Sequence, residues 1–233
     1  MSKYKRIVVL DTETTGLDII DNSSTQFPYH RITEIGAVEI IDNKITGKRF
    51  QTYLNPKRDV SMASYRITGL STEFLSDKPK FDDVADNFLK FIEGSKLVIH
   101  NAKFDVKFLN FELSLVGKKN LELASVVDTL ALARARFPGQ KASLDALCKK
   151  YKIDNSNRTL HGALIDAQLL ARVYLYMEGF SHQFTMQNIS QECQFESNTL
   201  QKSIDASLTF SVLEVSQNEV KQHQDIMKRI LKD

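Results

Sequence analysis

The segment VVLDTETTGLD, residues 8–18, constrains the fold of this chain more than any other. The apolar run at residues 7–10 predicts a short buried strand, because a helix would need a longer apolar pattern. That strand leads directly into Asp11 and Glu13. Since residues i and i+2 of a strand point to the same face, both carboxylates face one point in space. Two like charges held this close raise each other's pKa and destabilise the fold unless a cation lies between them.

A hard divalent ion is the counter-charge that suits such a pair of carboxylates, because Mg²⁺ and Mn²⁺ prefer oxygen ligands. The alternative is an exposed strand end whose acids pair with Lys or Arg. An Asp-x-Glu pair alone does not decide between these interpretations. Acidic residues further along the chain favour the metal site.

Asp105 follows the apolar segment KLVIHN, and lies in the opening turns of a predicted helix. A first-turn acid also has a purely structural use, because it interacts favourably with the helix dipole. His161 and Asp166 are five residues apart in RTLHGALIDAQLL. Five helical residues rotate by about 500°, so these side chains cannot share a face of one regular helix. The spacing predicts Asp166 in the first turns of a helix and His161 on the preceding loop, where a lone histidine would usually be solvated.

The order of predicted elements indicates an α/β fold. β-branched residues on either side of Asp42 and Asn43 predict a hairpin. FDDVADNFLKFI repeats apolar residues at helical spacing, and Ser143 has the position of an N-cap in SLDALCKKY. A strand meander followed by alternating strands and helices predicts a mixed sheet with helices packed on it.

Composition and charge exclude several classes of protein. The 31 Lys and Arg against 29 Asp and Glu give a net charge of +2, too balanced to coat nucleic acid by bulk electrostatics. The two cysteines, Cys148 and Cys193, argue against a disulfide framework and a thiolate metal site, and favour a reducing, intracellular setting. The sequence has neither an apolar segment of membrane-spanning length nor a signal-peptide pattern at its start. We therefore expect a cytoplasmic protein without membrane contact.

Composition changes abruptly after Gly179. Residues 180–206 are rich in Gln, Ser, Asn and Thr, which predicts a flexible linker. Residues 207–233 contain a strand-like segment, LTFSVLEV, and then Ser216 and Glu219 at capping-box spacing. Because about 25 residues cannot build a stable core alone, we expect this segment to fold against a partner. The predicted division is a first domain at 1–179, a linker at 180–206 and a partner-binding segment at 207–233.

The segments LDTETTG, IHNAKFD and LHGALIDA, in this order, resemble the DEDD-type 3′→5′ exonucleases that carry a histidine five residues before the last aspartate. ITEIGAVEI and SLDALCKKYKIDNSNRTLHGALIDAQLLA extend the resemblance to the proofreading members of that family in bacterial replicative DNA polymerases. The resemblance covers about residues 5–178. It implies a ribonuclease H-like fold, with a five-stranded mixed sheet flanked by helices, followed by a flexible C-terminal tail.

The same resemblance implies the roles of five residues. Asp11, Glu13, Asp105 and Asp166 would hold two divalent cations, Mg²⁺ or Mn²⁺, and His161 would be the general base. Two such ions about 3.5–4 Å apart would bracket the scissile phosphate. An imidazole with an ordinary pKa near 6.5 suits removal of a proton from the attacking water at neutral pH. The expected product is a nucleoside 5′-monophosphate released from a 3′ end.

The expected substrate contacts are the following residues: Asp11, Glu13, Thr14, Thr15, Thr68, Phe104 and Asp166. The Thr-Thr-Gly turn that ends at Gly16 would let backbone approach the terminal nucleotide. Phe104 offers a face for base stacking, and packing within the fold is an equal alternative. Thr68 and Ala63 depart from the family pattern, which has a histidine and a glutamate at these positions. We therefore expect the contacts with the 3′-terminal nucleotide to differ.

By resemblance, the C-terminal segment would bind the polymerase alpha subunit and present the nuclease to single-stranded or frayed 3′ ends of DNA. QFTMQNI near residue 183 is a candidate motif for the sliding clamp, with a simple glutamine-rich linker as the alternative. Further partners could include a small accessory subunit. A flexible linker would keep the nuclease at high effective concentration near its substrate. Two other functions stay open: an RNA-trimming exonuclease of the same family, and a non-catalytic subunit that stabilises the polymerase.

Overall fold

A computed structural model describes residues 5–21, 29–156 and 158–180 of the chain. The chain divides into two compact units, Met1–Gln183 and Phe184–Asp233. The predicted linker after Phe180 and the predicted segment 207–233 lie outside the described residues. None of the helices in the three described ranges is both long and apolar enough to cross a membrane.

Five strands of the described residues form a mixed sheet in the order β3-β2-β1-β4-β5. β1 pairs with β2 and β2 with β3 in antiparallel fashion, whereas β1–β4 and β4–β5 are parallel. The predicted five-stranded mixed sheet of a ribonuclease H-like fold is therefore confirmed. The strands are β1 Arg6–Thr14, β2 Ile32–Ile41, β3 Lys44–Tyr53, β4 Lys96–Ile99 and β5 Val127–Asp128.

The predicted hairpin joins β2 to β3 and turns at Asp42 and Asn43. Both residues have a positive φ, at 48° and 64°. This conformation belongs to the two-residue turns that match the twist of the flanking strands. Asp and Asn adopt it at lower cost than most residues, because their short polar side chains can bond locally.

Helices predicted from apolar spacing are present on both sides of the sheet. Ser143 is the N-cap of its helix, as predicted, and its hydroxyl accepts a hydrogen bond from the Ala146 amide at 3.3 Å. A short 3₁₀ turn precedes β5 at Leu123–Ser125. The α-helices of the described residues are α1 Met62–Thr68, α2 Thr72–Leu75, α3 Phe81–Ile92, α4 Ala102–Leu115, α5 Thr129–Arg136, α6 Leu144–Tyr151 and α7 Ala163–Met177.

Strand β1 lies between two apolar layers. Ile7 and Val9 pack into a cluster with side chains of α6 and α7, whereas Val8 and Leu10 pack into a second cluster with α3 and α4. Alternate strand residues thus enter opposite layers, which explains why the run is continuously apolar. Asp11 and Glu13 continue the Ile7–Val9 alternation, so their positions belong to the face that carries α7. Eleven residues of α7 are buried, so this helix is a rigid support for what it carries.

Candidate active site

Asp11 and Glu13 lie near the end of β1 and are partly buried. Burial raises the pKa of Asp11 well above its ordinary value, and repulsion from Asp105, Glu13 and Asp166 raises it further. The pKa of Glu13 is raised to about 8, first by burial and then by repulsion from Asp166. Both carboxylates therefore lie where negative charge is in excess.

Asp105 lies in the first turn of α4 and is buried. Its Oδ1 accepts hydrogen bonds from the backbone amide of Thr12 at 3.0 Å and from the Thr12 hydroxyl at 2.7 Å. Because Thr12 separates Asp11 from Glu13, these bonds fix the start of α4 beside the two acids of β1. Burial raises the pKa of Asp105 to about 7, although the hydrogen bonds from Thr12 oppose the shift.

Asp166 lies in the first turn of α7, and His161 lies on the loop before it, as the five-residue spacing requires. The amide of His161 donates to the Ile67 carbonyl at 3.0 Å, which anchors this loop to α1. The Asp166 side chain is 5% exposed and that of His161 is 47% exposed. Their Oδ2 and Nδ1 atoms are 3.3 Å apart. The hydrogen bond to Asp166 raises the pKa of His161 above its ordinary value.

The structure brings these side chains together from three parts of the chain. Among the described residues, one ligand atom from each of Glu13, His161 and Asp166 lies within 4.8 Å of the others. Asp11 and Asp105 are close enough for their mutual repulsion to raise the pKa of Asp11. An excess of carboxylate oxygens around one point, with a single imidazole at its edge, fits hard divalent cations.

Arg158 contributes a positive charge that sequence analysis did not predict. Its guanidinium forms two hydrogen bonds with the Asp166 carboxylate, one of them from Nη2 to Oδ2 at 2.7 Å. Nη1 donates to Asp145 at 2.8 Å, and Nη2 lies 2.8 Å from Nδ1 of His161. Burial would raise the pKa of Asp166, but hydrogen bonds from His161 and Arg158 hold it below its ordinary value. Within the described residues, Asp166 is thus the acid of this cluster that forms an ion pair with Arg158.

Glu34 is a second residue that sequence analysis missed. It lies on β2 directly opposite Glu13 and is 2% exposed. Its Oε2 accepts from the Ala163 amide at 3.0 Å, and its Oε1 accepts from Gln51 at 2.8 Å. Burial raises the pKa of Glu34 despite these bonds. The available signal was an acid inside the apolar strand ITEIGAV.

The other predicted substrate contacts are engaged within the protein. The hydroxyls of Thr14 and Thr68 donate to backbone carbonyls two and four residues away, at 2.6 Å and 3.1 Å. Thr15 is fully buried and its hydroxyl accepts from the Arg31 amide at 3.0 Å. The Phe104 ring lies 5.0 Å from that of Phe108, centroid to centroid. Contacts between these residues and a nucleotide stay predictions.

Fold and site together define the class of ribonuclease H-like nucleases. The family model RNase_T, described as "Exonuclease", matches residues 8–174. Exonuclease X in complex with 5′ overhanging duplex DNA has a TM-score of 0.57 and 28% identity, covering 77% of this chain and 94% of that chain. The nuclease domain of 3′hExo bound to rAMP has a TM-score of 0.62 at 20% identity, covers 76% of this chain and 94% of that chain, and supports the fold alone.

Proteins named DNA polymerase III subunit epsilon are similar over almost the whole chain. The one from Rickettsia conorii is 48% identical over 231 residues, which are 97% of each chain. The one from Escherichia coli is 45% identical over 224 residues, 94% of this chain and 90% of that protein. The chain therefore belongs to the exonuclease family that includes these epsilon subunits.

Proposed function

We propose that this chain is the 3′→5′ exonuclease that proofreads DNA made by a replicative DNA polymerase III. It would remove mispaired nucleotides from the 3′ end of the nascent strand as nucleoside 5′-monophosphates. The observation that carries the proposal is the convergence of partly buried acids from β1 and buried acids from α4 and α7 beside a half-exposed loop histidine. Similarity to epsilon subunits over nearly the full length supports the assignment to DNA replication.

In this proposal, Asp11, Glu13, Asp105 and Asp166 hold two divalent cations, Mg²⁺ or Mn²⁺. When bound, such ions lower the pKa of water and stabilise negative charge on a leaving oxygen. His161 accepts the proton of the attacking water, because its ring is on a loop, half exposed and next to the acids. The hydrogen bond to Asp166 orients the imidazole for this role.

The terminal nucleotide would lie against the turn after β1, near Thr14, Thr15, Thr68 and Phe104. The hydroxyls of Thr14 and Thr15 bond within the protein, so we expect these two threonines to shape the turn that receives the nucleotide. Thr68 ends α1, where its hydroxyl donates to the Ser64 carbonyl, and its oxygen is still able to accept from a base. Selectivity for errors follows from the substrate, since a mismatched terminus costs less to unpair than a matched one.

The proposed partner is the polymerase alpha subunit, bound by residues 207–233 through a linker at 180–206. The sliding clamp and a small accessory subunit are further proposed partners, and the proposed compartment is the cytoplasm. Truncation after residue 180 should preserve digestion of DNA and abolish binding of the polymerase subunit. Retained binding, measured by pull-down, would contradict the proposed role of the C-terminal segment.

The function is tested by digestion of matched single-stranded DNA and RNA by the full-length protein with Mn²⁺. We expect stepwise release of mononucleotides from the 3′ end of DNA, faster at mispaired than at paired primer ends. A strong preference for RNA would favour RNA trimming. Failure to digest DNA would favour the non-catalytic subunit. Asp11→Asn protein, purified in parallel, controls for a contaminating nuclease.

A further inference from the structure

We propose that Glu34 is a positioning residue that fixes the start of α7 against the strand pair that carries Asp11 and Glu13. Through α7 it would set where Asp166 and His161 lie relative to the acids of β1. This inference rests on the proposed metal site and names a residue outside the set of acids expected to bind the ions.

Helix α7 begins without a side-chain cap from its own N-cap residue. That residue is Gly162, which has no side chain to accept a hydrogen bond. The first four amides of a helix have no partner inside the helix and need an acceptor elsewhere. Glu34 provides one from β2, because its Oε2 accepts from the Ala163 amide at 3.0 Å. The two residues are 129 positions apart in the chain.

The Glu34 carboxylate is itself held in place. Gln51 on the neighbouring strand β3 donates to Oε1 at 2.8 Å, so that each carboxylate oxygen has a protein donor. The residue is 2% exposed, so water competes little for these bonds. A buried hydrogen bond of this kind is costly to lose, because the amide left behind has no solvent to replace its acceptor.

The strand register makes this attachment specific to the site. Glu34 pairs with Glu13, and Gly36 pairs with Asp11 across the β1–β2 ladder. A Cβ atom at Gly36 would lie 2.1 Å from the Leu164 amide nitrogen, so α7 can approach only because residue 36 has no side chain. The two β2 residues opposite the acids of β1 therefore both contact the first turn of α7.

Glu34 would act on metal affinity through α7 and not as a ligand. Both of its oxygens are engaged by other donors. Groups that orient metal ligands without contacting the metal typically contribute about 10- to 100-fold to metal affinity.

The test compares two variants of the full-length protein. One changes the charge of the side chain at residue 34, and the other changes its length. Glu34→Gln keeps the length of the side chain and an acceptor oxygen for Ala163, with the Gln51 amide free to rotate to match it. Glu34→Asp keeps the charge but is one methylene shorter, so it loses reach to α7. Affinity for Mn²⁺ is measured by calorimetry without DNA. We expect Glu34→Gln to retain most of the affinity and Glu34→Asp to lose about 10-fold or more.

A matched control lies on the same strand. Glu39 is also buried, at 4% exposed, and is held by Arg6 and Thr46 at the other end of β2. Glu39→Asp should lower the melting temperature without changing Mn²⁺ affinity, which separates general destabilisation from an effect on the site. Thermal unfolding of every variant shows that each is folded at the temperature of the titration.

Two results would overturn the inference about Glu34, and a third would contradict the metal site on which it rests. If Glu34→Asp binds Mn²⁺ as the wild type does, the contact with α7 does not matter for the site. If Glu34→Gln loses as much affinity as Glu34→Asp, an acceptor oxygen at the right distance is not sufficient, and the inferred role is contradicted. A wild-type chain that binds no Mn²⁺, or whose binding survives Asp11→Asn, contradicts the proposed metal site itself and not the role of Glu34.

Discussion

The two ends of the β1–β2 strand pair both bury carboxylates, but they balance them differently. At one end, Glu39 accepts from Arg6 Nε at 2.7 Å and from the Thr46 hydroxyl at 3.0 Å, and Lys48 lies 3.8 Å away. Burial would raise the pKa of Glu39, but the hydrogen bonds from Arg6 and Thr46 hold it below its ordinary value. This end stabilises the fold with its own cations.

At the other end, the acids outnumber the cations that the described residues place beside them. Arg158 pairs with Asp166, while burial and mutual repulsion raise the pKa values of Asp11, Glu13 and Asp105. Buried like charges cost stability, and a bound cation would offset that cost. Both ends bury carboxylates, so burial alone does not indicate a binding site. The better indicator is a group of buried carboxylates with too few cations beside them.

The largest expected effect comes from Asp11→Asn. We expect activity on DNA to fall roughly 10⁴-fold, because a lost metal ligand removes about 5 kcal/mol of transition-state stabilisation. The melting temperature of the metal-free protein should hold steady or rise, since repulsion is relieved. Glu39→Gln is the control at the other end, and should lower the melting temperature with activity near wild type. A large drop in the melting temperature of metal-free Asp11→Asn would contradict the comparison.

The next effect in size is that of His161→Ala. We expect the single-turnover rate to fall roughly 10²- to 10⁴-fold, as is usual when a general base is removed. Mn²⁺ affinity should change much less than in Asp11→Asn, because the four acids are intact. A rate equal to that of the wild type would remove His161 from the proposed mechanism.

The placement of the acids on strand and helix, and of His161 on a loop, could be predicted from sequence because local geometry decides it. The i, i+2 spacing of Asp11 and Glu13 fixes a shared strand face, and the spacing of His161 and Asp166 separates loop from helix. Turn chemistry and apolar periodicity likewise predict the hairpin and the helices, whose partners are close in sequence.

Glu34 and Arg158 escaped prediction because their roles depend on distant partners. Within ITEIGAVEI, Glu34 has the pattern of a strand acid, and its contact with Ala163 comes from 129 residues away. Arg158 is one of many basic residues until the fold brings Asp145 and Asp166 to it. The hydroxyl of Thr68 donates to the Ser64 carbonyl of its own helix, a local bond that sequence analysis did not predict.

A third prediction concerns Arg158→Met in the metal-free protein. We expect the free energy of unfolding to fall by about 3 kcal/mol, because the buried Asp166 carboxylate loses its paired charge. Mn²⁺ should restore stability in this variant, since the ion supplies a new counter-charge. The control is Arg31→Met. It breaks another bidentate ion pair, in which Nε and Nη2 of Arg31 donate to the two carboxylate oxygens of Glu112 at 2.7 Å and 2.6 Å. If Mn²⁺ restores both variants to the same extent, Arg158 is an ordinary structural arginine.

The last prediction concerns the pH dependence of the metal-free protein. Glu13 has a pKa of about 8 in the folded chain against an ordinary 4.5, and Asp105 about 7 against 3.8. The folded state therefore keeps protons that the unfolded chain has released, so stability falls as pH rises from about 5 to about 8. The raised pKa of His161 acts in the same direction, whereas the lowered pKa of Glu39 costs stability only as the solution becomes acidic.

Each kcal/mol of stability lost would lower the melting temperature of a chain this size by about 2–4 °C. The measurement is a series of thermal unfolding curves across that pH range for the wild type, for Glu13→Gln and for the wild type with saturating Mn²⁺. Glu13→Gln and Mn²⁺ should each flatten the dependence, because one removes the titrating group and the other favours its charged form. A melting temperature that rises with pH in the metal-free wild type would show that the acids at this end of the strands are as well balanced as Glu39.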